Sequence, residues 1–156
     1  MARLVFVCWG NICRSPMAER IARRMIDEQG LDIEVESFGV SEEEAGNPID
    51  RRAARTLIKA GYDPDGHRAR KIGAAHIKSA DLVVAAEPLH VDRLQRIAPG
   101  ASNIVLLNDF NPAMDPGTPL IDPWYGDEAG FQETLDDLEA AMEGILRAVQ
   151  ERAARR

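Results

Sequence analysis

Short apolar runs and helical stripes alternate along this chain. Residues 4–8 (Leu-Val-Phe-Val-Cys) are apolar without helical spacing, which predicts a buried strand. After a glycine-containing segment, Ser15-Pro16 introduces the helical stripe Met17, Ile21, Met25. The pattern then recurs. Residues 33–38 alternate as a strand, and Pro48-Ile49 opens a helix carrying Ala53, Leu57 and Ile58 as far as Gly61. Residues 82–86 predict a third strand, 88–97 a helix and 104–107 a fourth strand. Phe131, Leu135, Leu138, Met142, Ile145 and Val149 recur at helical spacing, so the last segment is a long amphipathic helix.

Strands alternating with helices predict an α/β fold, a parallel sheet covered on both faces. A chain of 156 residues fits one domain, residues 1–156. Sites in such sheets lie beyond the carboxyl ends of the strands. Cys8 ends the first strand and the segment 108–122 leaves the fourth, so both reach one crevice. The connections 39–47 and 61–71 rim that crevice or lie at the opposite edge.

Charge and composition remove several function classes. A formal net charge of −7 argues against binding nucleic acid through neutralised phosphates, and the basic cluster from Arg152 to Arg156 reads as a solvated helix end. No apolar run approaches the roughly 18 residues of a membrane span, so no membrane insertion is expected. The start, Met1-Ala2-Arg3, lacks a signal-peptide layout, which predicts a cytoplasmic location, with signal-independent secretion left open. His67, His76 and His90 show no metal-ligand spacing, and no dinucleotide or Walker-type glycine fingerprint is present. No metal and no other cofactor is expected.

The two cysteines, Cys8 and Cys13, are too close in sequence to frame a disulfide-stabilised fold, so their chemistry matters more than their packing. Cys8-Trp9-Gly10-Asn11-Ile12-Cys13-Arg14-Ser15 is a Cys-x5-Arg loop between a strand and a helix. Five intervening backbone N–H groups can curl around a tetrahedral oxyanion at which the following helix aims its N-terminus. Arg14 offers a bidentate fork to two phosphate oxygens and to the charge of a phosphoryl-transfer transition state. A thiol at Cys8 is then placed as a nucleophile in its thiolate form, which the helix terminus and the guanidinium favour. A buried strand-end cysteine is otherwise a small core residue; the glycine, asparagine and Ser-Pro helix start around it favour chemistry.

The run from Val7 to Glu19, Val-Cys-Trp-Gly-Asn-Ile-Cys-Arg-Ser-Pro-Met-Ala-Glu, resembles the N-terminal signature of the low-molecular-weight protein tyrosine phosphatases. The resemblance continues through Gly46-Asn47-Pro48, His67-Arg68-Ala69-Arg70, Asp81-Leu82-Val83-Val84 and Asp122-Pro123-Trp124-Tyr125-Gly126, in the family's order. It implies a three-layer sandwich, a central four-stranded parallel sheet flanked by helices on both faces. It also implies metal-free, two-step hydrolysis through a phosphocysteine, with inorganic phosphate as product and inhibitor.

That chemistry needs a proton for the leaving group and a base for the hydrolytic water. Residue types alone offer Asp109, Asp115 and Asp122; the resemblance implies Asp122, the acid of the Asp-Pro-aromatic-aromatic-Gly loop. It also implies that Asn11, Ser15, Ser37 and His67 form a hydrogen-bond network supporting the phosphate loop, and that Ser15 donates to the Cys8 thiolate. Cys13 is either a small buried residue or a partner that captures oxidised Cys8 as a disulfide, which requires Cα atoms within about 7 Å. Residues 9–13 and Ser15, with Trp124 and Tyr125, form the expected substrate-binding set.

Trp9, Trp124 and Tyr125 are expected to wall a slot for a planar aryl phosphate, the substrate being a phosphotyrosine protein or aryl phosphate. Ile12 agrees, since relatives acting on arginine phosphates carry threonine there. Glu43 stands where many tyrosine-directed relatives have an aromatic wall, and Phe38 and Ala86-Glu87 also depart from the commoner residues. Alternatives of the same scaffold are a protein-arginine phosphatase and an arsenate reductase drawing on an external thiol.

Overall fold

The computed structural model describes residues 1–156. Four parallel strands, β1 (Ala2–Cys8), β2 (Ile33–Gly39), β3 (Leu82–Ala85) and β4 (Ile104–Leu106), form one sheet in the order β2-β1-β3-β4. Five helices, α1 (Arg14–Gln29), α2 (Arg51–Lys59), α3 (Ala74–Ser79), α4 (Pro88–Ile97) and α5 (Glu128–Ala154), complete the three-layer α/β fold.

Alternation along β1 divides the interior. Leu4 and Phe6 face a core shared with Met17 and Ile21 of α1, Leu57 of α2, and Leu135, Leu138 and Met142 of α5. Val5 and Val7 face a second core with Ile77 of α3 and Leu94 of α4. A strand buried on both faces has no solvent side for polar residues, which is why residues 4–8 read as a continuous apolar run. The innermost strand thus delivers Cys8 rigidly to the carboxyl edge of the sheet.

Several boundaries differ from the sequence expectation. The helix expected from Pro48 begins at Arg51, because Asp50 is extended and its carboxylate caps the helix, accepting from the Arg52 and Ala53 N–H groups. The strands expected to end at residues 86 and 107 end at Ala85 and Leu106, the latter because Leu107–Phe110 winds into a 3-10 turn. The short helix α3 had no counterpart in the sequence reading. The terminal arginines are not simply solvated: Arg156 reaches Asp81 at 2.7 Å, and Arg152 donates to Ser102 O. No helix is long and apolar enough to cross a membrane.

Candidate active site

The loop from Cys8 to Arg14 folds with its carbonyls turned outward. Cys8 O and Trp9 O accept from Val40 and Ser41 N–H, Ile12 O from Asp50 N–H, Cys13 O from Met17 N–H, and Asn11 O from the His67 ring. By contrast, none of the backbone N–H groups from Trp9 to Ser15 donates to an acceptor in the protein. A run of unpaired donors ending in the N-terminus of a 16-residue helix is an anion-binding nest.

Asn11 makes this shape possible. It is the only non-glycine residue with positive φ, at 62°, a conformation that asparagine tolerates better than most residues. Its Nδ2 donates to Ser15 Oγ at 2.8 Å and Ser37 Oγ at 3.0 Å, and its Oδ1 accepts from Arg70 N–H at 3.1 Å. The His67 Nε2 atom lies 2.6 Å from Asn11 O, and Ser37 donates on to Glu19. Burial lowers the His67 pKa despite that contact, so the ring is neutral and its Nε2–H is the donor. Beneath the loop, a Cβ on Gly39 would sit 2.7 Å from Trp9 O, so only glycine fits.

Cys8 is buried at the base of the nest, its Sγ 3.0 Å from Ser15 Oγ. Arg14 is also buried, and its Nη1 donates to Glu87 Oε2 and to Leu120 O, each at 2.6 Å. That anchorage leaves Nη2 directed toward the loop that carries Asp122, whose Oδ2 lies 3.6 Å away. Asp122 in turn accepts from Trp124 N–H at 3.0 Å, which orients its carboxylate at the start of a 3-10 turn.

These groups share one cavity of about 260 Å³, lined by Cys8, Trp9, Gly10, Ile12, Cys13, Arg14, Glu43, Glu44, Asp122, Trp124 and Tyr125. Most of the residues expected for substrate contact are there. Asn11 and Ser15 are not in the lining; their side chains are buried behind the loop, with Ser37 and His67. Of the three aspartates left open by residue type, only Asp122 lines the cavity. Asp109 accepts from Gly117 N–H instead, and Asp115 O caps a turn closed by Thr118. Both cysteines are free thiols, and burial, with the nearby Asp50 and Cys8, pushes the Cys13 thiol far up, so it stays protonated. Nowhere do three or more His, Cys, Asp or Glu side chains converge as metal ligands would.

A sequence model of the low molecular weight phosphotyrosine protein phosphatase family matches residues 3–155. The chain belongs to this family. Among its relatives, the low molecular weight protein-tyrosine-phosphatase of Streptomyces coelicolor is 40% identical over 155 residues, spanning 96% of this chain and 94% of that one. The low molecular weight protein-tyrosine phosphatase A of Mycobacterium tuberculosis is 38% identical, spanning 97% and 94%. The crystal structure of a protein tyrosine phosphatase from Entamoeba histolytica superposes with a TM-score of 0.90 at 29% identity, over 97% of this chain and 98% of that one.

Within this family member, Glu87, Glu44 and His90 are site residues to which the sequence reading gave no role. Glu87 follows the end of β3, the position where a parallel sheet presents functional side chains, and it belongs to the Ala86-Glu87 pair that departs from the commoner residues; those are its two signals. His90 is buried below the Arg14–Glu87 pair, its Nε2 3.9 Å from Glu87 and its Nδ1 without a partner. Burial, then the Arg14 charge, depresses its pKa to about 4 against the opposing charge of Asp122, so the ring is neutral.

Proposed function

We propose that the protein is a protein-tyrosine phosphatase working through a phosphocysteine on Cys8. The observation that carries this reading is the row of unpaired N–H groups from Trp9 to Ser15 closing over Cys8 and Arg14. Backbone donors fixed in advance stabilise charge as it develops on the equatorial oxygens, without reorganisation at the moment of reaction.

In the first step the Cys8 thiolate attacks phosphorus, the P–O bond to tyrosine breaks, and Asp122 gives its proton to the departing phenoxide. In the second, water attacks the phosphocysteine, Asp122 takes a proton from that water, and the S–P bond breaks to release phosphate and the thiolate. Ser15, 3.0 Å from the sulfur, donates to the thiolate as it leaves. Arg14 holds two equatorial oxygens throughout. Inorganic phosphate, as product, competes for the same nest.

Trp9, Trp124 and Tyr125 at the mouth favour an aryl group, whose length reaches the recessed sulfur where a serine phosphate stops short. A cytoplasmic location belongs to the same proposal, because a nucleophilic thiol at Cys8, five residues from Cys13, needs a reducing setting to stay available.

The test is phosphate release from phosphotyrosine, phosphoserine, phosphoarginine and phenyl phosphate, beside thiol-dependent arsenate reduction, for wild type, Cys8→Ser and Asp122→Asn. Phosphotyrosine and phenyl phosphate should be preferred, and Cys8→Ser should be inactive. A Cys8→Ser protein that keeps its rate overturns the reading.

A further inference from the structure

The acid loop is tethered by one side chain outside the cavity. From Ile121 to Gly126, the only hydrogen bonds arriving from outside the segment come from Arg52, whose Nη1 lies 3.3 Å from Trp124 O and 3.4 Å from Gly126 O. The same guanidinium sits 5.1 Å from the centroid of the Trp124 ring and 4.7 Å from that of Phe131, stacked where the loop enters α5.

Arg52 is itself held. Its Nε and Nη2 fork onto the two oxygens of Asp50, each at 3.2 Å. Asp50 also donates its backbone N–H to Ile12 O at 2.9 Å. A closed path therefore runs from the phosphate loop at Ile12 through Asp50, Arg52 and the Trp124 peptide to Asp122. Trp124 is gripped through both of its backbone polar groups: its C=O accepts from Arg52 and its N–H donates to the Asp122 carboxylate.

We propose that Arg52 is a positioning residue for proton transfer, setting the Asp122 carboxyl in register with the phosphate loop through the backbone of Trp124. This rests on Asp122 being the acid. Arg52 touches neither sulfur nor phosphate, so its removal leaves attack by Cys8 intact and misplaces the proton donor. A displacement of the order of 1 Å in a reacting group is enough to matter. Lysine retains the charge but neither the fork nor the planar stacking surface.

The experiment compares kcat/KM for p-nitrophenyl phosphate, whose leaving group needs little protonation, with that for phenyl phosphate, whose leaving group needs it. Arg52→Ala, Arg52→Lys, Asp122→Asn and the double variants are measured beside wild type. The ratio of the two substrates within one preparation is independent of the folded fraction.

Arg52→Ala should lose about tenfold with phenyl phosphate and less than about threefold with p-nitrophenyl phosphate, with Arg52→Lys close to it. In the Asp122→Asn background the Arg52 changes should leave the ratio where Asp122→Asn put it. The proposal is overturned if Arg52→Ala or Arg52→Lys keeps the wild-type ratio, or if Arg52→Ala shifts it equally without the Asp122 carboxyl. An Asp122→Asn protein with the wild-type ratio removes the acid assignment itself, a result distinct from failure of Arg52 alone.

Discussion

The guanidinium of Arg14 and the carboxylate of Glu87 meet at 2.6 Å, so the arginine proposed to hold phosphate already has an anionic partner. Glu87 aims Arg14, and it also opposes an incoming dianion. Glu87→Gln keeps an acceptor for aiming and removes the charge, so inorganic phosphate should inhibit about fivefold more strongly, a like charge being worth about 1 kcal/mol at a partly solvated site. Glu87→Ala loses both, and kcat/KM should fall at least about tenfold. Inhibition constants and aryl phosphate kinetics for the two variants separate aiming from repulsion; identical behaviour of the two would refute the distinction.

Asn11 is held in the left-handed region by its bonds to Ser15, Ser37 and Arg70. Asn11→Ala loses those bonds and retains the strain, while Asn11→Gly loses the bonds alone. Both should lower kcat/KM. Denaturant unfolding should find the glycine variant more stable than the alanine variant by about 1 kcal/mol. Equal stability would mean that the backbone relaxes away from this conformation.

His90 couples the site to pH. Its pKa of about 4 in the fold lies below the ordinary value, which the unfolded chain recovers. Between those values the unfolded state binds more protons, so stability is full above the ordinary histidine range and falls as pH drops toward about 4. From pH 7 to pH 5 the loss from this ring is about 2 kcal/mol. His67, also lowered, acts in the same direction. Urea unfolding of wild type and His90→Asn at both pH values checks it: the wild-type advantage over the variant should shrink at pH 5. A constant difference would show that the ring is not held neutral.

Glu43 accepts from Trp9 Nε1 at 3.3 Å, Glu44 lines the same wall, and Arg93 stacks on the Trp9 ring at 4.8 Å. Two carboxylates at the mouth should favour phosphotyrosine peptides with basic flanks over acidic ones. Glu43→Gln should narrow that preference severalfold in kcat/KM, and raising salt should narrow it in wild type. An unchanged peptide ranking in Glu43→Gln would remove the acidic wall as its cause.

The sheet was legible because its central strands are buried on both faces and leave apolar runs, and α5 because its stripe is long. The helix α3 was not legible, having only six residues, of which one, Ile77, is buried. The Cys-x5-Arg loop was readable because strand, loop and helix are contiguous. The partners that aim it were not: Arg14 and Glu87 stand 73 positions apart, and Arg52 and Trp124 are separated by 72. No local periodicity encodes such pairs. Asp109 and Asp115 show the same limit from the other side, since only the folded course of residues 108–122 turns them away from the cavity.

The bonds gathered on Asn11 also order events during synthesis. Three of its partners, Ser37, His67 and Arg70, emerge from the ribosome well after the loop they support, and Asp122 emerges later still. A nascent chain ending before Ser37 has only Ser15 of these partners, and the set is complete only once Arg70 has been added. One ending between Glu87 and Asp122 has every side chain named for holding phosphate and none for protonating a leaving group. The phosphate-binding side chains are thus synthesised before the proton donor, and the core that holds both closes only when α5 follows.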